Sequence, residues 1–89
     1  MAYTSGRLFA GETAVTTVAA PISTTSSNIR EVIIQSDPDN TTNVLIGTAT
    51  AQEVVLAPGQ AITIPIISLS LIFVKMASST GTVNWLARD

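Results

Sequence analysis

The stretch Leu56-Ala57-Pro58-Gly59-Gln60-Ala61-Ile62-Thr63-Ile64-Pro65-Ile66 decides the class of fold. From Ala61 onward Ile62, Ile64 and Ile66 fall on one face and Ala61, Thr63 and Pro65 on the other. That is the two-residue period of a half-buried strand. Pro65 has no N–H to give to a ladder, which places the strand at an edge or a bulge. Pro58-Gly59 is the pair a type II turn wants, because proline presets φ at the first central position and glycine supplies φ > 0 at the second. Glu53–Leu56 then reads as the preceding strand, and the two strands as a hairpin.

Working outward, Ile29–Gln35 (IREVIIQ), Asn43–Gly47 (NVLIG), Leu71–Met76 (LIFVKM) and Thr82–Ala87 (TVNWLA) read as further strands, with Ala14–Ala19 (AVTTVA) as another. Ser78-Ser79-Thr80-Gly81 reads as a hairpin loop between the last two. No window carries a 3.6-residue amphipathic period. The expectation is an all-β chain: a small β-sandwich, jelly-roll-like, or a barrel, of about seven to eight short antiparallel strands. It forms a single domain, with residues 29–89 as the sandwich core and 1–28 as an N-terminal arm or edge-strand segment. For residues 1–12 an arm that orders on a partner and a terminus plus edge strand are both open. Pro21–Asn28 is a loop by composition.

Only 11% of the 89 residues are charged, against about 25% in an ordinary domain. The hydrophobic share is 46%, so either small polar residues or other protein must cover the surface. The net charge is −2 and the cations Arg7, Arg30, Lys75 and Arg88 stand apart, which argues against a nucleic-acid partner. There is no cysteine and hence no disulfide framework, as expected of a chain made in the cytoplasm. The first residues lack the continuous apolar run of a secretory leader. Ile64–Val74 is too short to span a bilayer and contains Pro65, so no membrane partner is expected.

Candidate chemistry is sparse. Asp37-Pro38-Asp39-Asn40 puts three oxygen-bearing side chains ahead of an apolar run, as half of a calcium loop would. Thr42 and Thr48 stand where such a loop demands glycine and glutamate. The segment therefore reads as a turn, in which Asp and Asn side chains bond nearby backbone N–H groups. With no His and no Cys the usual nucleophile–base pairs are missing, and the five glycines stand singly, so no phosphate loop exists. No enzyme activity, metal or cofactor is expected. Trp85 alternates with Val83 and Ala87 and reads as core rather than a sugar platform.

The informative anomaly is Leu71-Ile72-Phe73-Val74. As a strand it has Leu71 and Phe73 on one face and Ile72 and Val74 on the other, although a two-layer sandwich buries one face of each sheet. Val32-Ile33-Ile34 and Val54-Val55-Leu56 repeat the pattern. Such strands call for cover on the outer face, from a loop, from the N-terminal arm or from a neighbouring subunit. Leu71, Ile72, Phe73 and Val74, with Arg7, Leu8 and Phe9 of the N-terminal segment, are the candidate oligomer or partner interface.

Across residues 28–87 the order of elements resembles the small structural proteins of tailed-bacteriophage virions. The pieces are Arg30-Glu31-Val32-Ile33-Ile34, Asp37-Pro38-Asp39-Asn40, Val44-Leu45-Ile46-Gly47, Leu56-Ala57-Pro58-Gly59, Ile62-Thr63-Ile64, Leu69-Ser70-Leu71-Ile72-Phe73-Val74 and Val83-Asn84-Trp85-Leu86. The resemblance implies a β-sandwich without catalytic residues. It also implies a virion component, a decoration (cement) protein on the capsid surface that binds the major capsid protein between subunits. With the doubly apolar strands and the low charge, the expectation is a homo-oligomer, a trimer. The N-terminal segment would be its clamp. The rival expectations are a tail or fibre module that binds a host-surface glycan, and a monomeric binding module unrelated to virions.

Overall fold

A computed structural model of the chain describes residues 8–23 and 29–88. Alternation becomes strand almost wherever it was read. The strands are β1 (Leu8–Val15), β2 (Ala20–Pro21), β3 (Glu31–Ser36), β4 (Val44–Gly47), β5 (Gln52–Leu56), β6 (Ala61–Pro65), β7 (Phe73–Met76) and β8 (Gly81–Arg88). A 3₁₀ turn, Leu69–Leu71, precedes β7. In β3, Val32, Ile34 and Ser36 are completely buried while Ile33 points outward, which is the pleat expressed as burial.

Two four-stranded sheets result, ordered β1-β8-β3-β6 and β2-β7-β4-β5, with every pair antiparallel. The first strand pairs with the last, the second with the seventh, the third with the sixth and the fourth with the fifth. This is a long hairpin rolled up on itself, the connectivity of a jelly roll. The sheets face each other as a sandwich and do not close into a barrel, so β1, β6, β2 and β5 remain edges. Between the sheets lies one aliphatic cluster, in which Ile22, Val32, Ile34, Val44, Val74, Met76 and Val83 are almost wholly buried.

Three local expectations change. The Pro58-Gly59 turn forms as read, with the Gln60 N–H donating to the Ala57 carbonyl at 2.9 Å and Gly59 at φ 87°. Yet β5 and β6 do not make a hairpin: β5 pairs with β4 and β6 with β3. The turn is anchored to the end of β3, because the Gly59 N–H donates to the Ser36 carbonyl and the Ser36 N–H to the Gln60 carbonyl. Those bonds lead the chain into the opposite sheet. The segment Ala77–Thr80 likewise crosses from β7 in one sheet to β8 in the other, so it is no hairpin loop. Ala14–Ala19 is not a strand, since β1 ends at Val15 and the Thr16 carbonyl accepts from the Met76 N–H across the sandwich. Pro65 is the last residue of β6, an edge strand, where its missing donor costs no ladder bond.

Candidate interaction surfaces

The predicted interface residues do not form one patch. Leu71 is not in a strand: it ends the 3₁₀ turn and is 54% exposed. Ile72 and Val74 are buried core residues and so cannot offer side chains to a partner. They and Met76 form the inner face, which leaves Phe73 half-buried on the outer face between its register partners Pro21 and Gly47. Leu8 is exposed on the outer face of the other sheet, opposite Arg88, and Phe9 is half-buried against the core. Arg7 lies outside the described residues. The 3₁₀ turn is the reason for the revision at Leu71. Ser68 caps it, accepting from the Ser70 N–H at 3.3 Å, and the strand starts two residues later than the apolar run.

Two surfaces emerge instead. The first is the outer face of the sheet β1-β8-β3-β6. Ile33 and Leu86 sit opposite each other at 43% and 41% exposure, with Ala10 and Thr63 as their register neighbours. One end of this apolar row carries the Arg88 Nε–Glu31 Oε1 ion pair at 2.7 Å. At the other end the Asn84 amide donates to Gln35 Oε1 at 3.3 Å and to Asp37 Oδ2 at 3.2 Å. An apolar centre inside a polar rim is the usual anatomy of a protein–protein interface.

The second surface is the gap between the two sheets along β5 and β6. There the sandwich stays open as a cleft of about 210 Å³ whose lining includes Val54, Ile62, Ile64, Ile66, Leu71 and Ile72 and no ionisable group. Periodicity placed Ile62, Ile64 and Ile66 on one face. The signal for the rest was the broken alternation of Val54-Val55-Leu56, but no sequence pattern says which two edges adjoin.

The Asp/Asn segment is a turn, with the side-chain oxygens of Asp37 and Asn40 used by the chain itself. The Asn40 N–H donates to the Asp37 carbonyl and the Asp39 N–H to Asp37 Oδ1, both at 2.9 Å. The Asn40 amide donates to Thr82 O at 2.8 Å while its Oδ1 accepts from the Thr82 N–H at 2.9 Å, so one side chain extends the ladder of β8. Among the described residues no group of three His, Cys, Asp or Glu side chains is placed to hold a metal ion. Trp85 packs its ring against the core and over Gly11, and its Nε1 donates to Thr13 Oγ1 at 3.2 Å. Both the face and the polar tip of this ring are engaged within the chain.

The described residues thus form an eight-stranded jelly-roll sandwich with two apolar surfaces that no other described residue covers. No protein-family model, no curated protein and no solved structure matches it.

Proposed function

We propose that the protein is a structural component of a bacteriophage virion: a capsid decoration protein that binds the major capsid protein between subunits and stabilises the shell as a homo-oligomer. The observation that carries this reading is the row of Ile33 and Leu86 with its polar rim, on the outer face of a sheet whose inner face is already buried. Jelly rolls serve as capsid domains and also as lectins, and the order of residues 28–87 favours the virion. The engagement of Trp85 within the chain speaks against a stacking platform for a glycan.

Mechanistically the protein needs no chemistry. Each copy removes apolar area from water across a seam, at roughly 25 cal/mol per Å², and many copies add up to a shell that opens less readily. A clamp made of residues 1–12 is revised, because Leu8–Val15 is β1 and pairs along its whole length with β8. Deleting 1–12 would remove more than half of an edge strand together with any arm. The direct test is co-sedimentation with mature capsids. Wild-type protein should sediment with them and Leu86→Lys should not, while its fold, read by circular dichroism, stays unchanged. Wild-type protein that stays in the supernatant ends the reading.

A further inference from the structure

We propose that the open flank along β5 and β6 is a self-association site, closed in solution by the same flank of a second copy across a two-fold axis. The proposal goes beyond the decoration reading and does not depend on it.

The Ala77 N–H donates to the Asn43 carbonyl, which fixes the odd-numbered residues of β4 as those bonded toward β7. Val44 and Ile46 therefore bond toward β5, to their partners Leu56 and Val54. Alternation then turns the N–H and C=O of Val55 away from the sheet. The same parity on β6, set by the Ser36–Gln60 and Ile66–Arg30 bonds, turns those of Thr63 outward, while Pro65 has no N–H to offer. The β4–β5 register shifts at Glu53, but the edge is regular from Val54 to Leu56. With unspent backbone donors and acceptors and no proline at Val55, that stretch takes a polypeptide strand.

The occupant must do more than extend β5. The cleft lies between two sheets about 10 Å apart, and one added strand covers one sheet edge only. A body that covers β5 and β6 together is itself two layers deep, with aliphatic side chains to meet an uncharged cleft. A second copy presenting Val54, Ile62, Ile64 and Leu71 is such a body, and the two clefts would merge into a continuous core. Self-pairing also satisfies charge. Glu53 is the one ionisable side chain on β5 and β6. Antiparallel pairing about Val54 sets it opposite Val55 of the second copy, so like charges do not face each other. The result is a dimer in place of the trimer expected from the sequence.

Light scattering on the full chain across a dilution series should give twice the chain mass, falling to one chain mass on dilution. Val54→Lys should give one chain mass at every concentration without loss of the β-sheet circular dichroism signal. Val55→Pro, which removes an outward N–H, should raise the dissociation midpoint roughly tenfold or more. Leu86→Lys, on the other surface, should leave the dimer intact. Should Val54→Lys unfold, Leu71→Asp tests the same cleft from a more exposed position. A wild-type chain that is monomeric throughout, a trimer, or a dimer abolished by Leu86→Lys but kept in Val54→Lys and Leu71→Asp would overturn the proposal. A monomer that still sediments with capsids overturns the pairing and the homo-oligomer, and leaves capsid binding standing. A dimer that ignores capsids supports the pairing and ends that reading.

Discussion

The two flanks of the sandwich use similar residues and end differently. Along β1 and β2 the sheets are stitched together. Thr13 Oγ1 donates to the Ile22 carbonyl at 2.6 Å while accepting from Trp85 Nε1, and the Met76 N–H reaches the Thr16 carbonyl at 2.8 Å. Gly11 leaves room for the Trp85 ring, which closes that side of the core. Along β5 and β6 the sheets are joined by the Pro58-Gly59 crossing, and aliphatic side chains line an open cleft. One flank is finished by the chain's own polar and aromatic groups. The other is left with an open apolar cleft, although strand edges run along both flanks. A chain this poor in charge can close a core on itself, or it can leave the closing to a neighbour.

The contrast can be broken most strongly at Trp85. Replacing it with alanine should cost about 3 kcal/mol, measured by calorimetry, because the ring is the largest side chain at the closed flank and leaves a cavity. Gly11→Ala comes next. Its Cβ would stand 2.7 Å from Trp85 Cζ2, and displacing a ring costs about 2 kcal/mol, visible as a lower urea midpoint and a shifted Trp85 emission. Thr13→Val keeps the shape and removes both hydrogen bonds, leaving the Ile22 carbonyl and the indole N–H short of partners. About 1.5 kcal/mol of stability should go, with the slope of the urea transition unchanged. Val54→Ala at the open flank should change the stability of the single chain by no more than about 0.5 kcal/mol, read at a dilution where only monomer is present. A loss at Val54 as large as that at Trp85 would mean that the flanks do not differ. Breaking the Arg88–Glu31 pair with Glu31→Gln should matter less still. Both partners are well exposed, and any effect should fade in high salt.

Much of the fold was legible because strands and turns are written locally. The alternation at Ile62-Thr63-Ile64, the edge position of Pro65 and the turns at Pro58-Gly59 and Asp37–Asn40 all follow from dihedral preferences and side chains within a few residues. The doubly apolar strands correctly pointed to uncovered surface, at Ile33 and at Val54 and Val55. The particular interface residues were less legible. Leu71-Ile72-Phe73-Val74 looked like one two-faced strand, and a serine-capped 3₁₀ turn divides it. That places Ile72 and Val74 in the core and Leu71 at the cleft.

What the sequence by itself determined is where the chain extends, where it turns and how much apolar surface it must hide. Only the tertiary structure decided which strands are partners. A type II turn sets φ and ψ at Pro58 and Gly59 equally well whether the next strand folds back on β5 or crosses to β3. The choice falls to bonds such as Gly59 N–H to Ser36 O, made between residues far apart in the chain. The open and closed flanks are products of that choice, because an edge exists only once every other strand has found its neighbour.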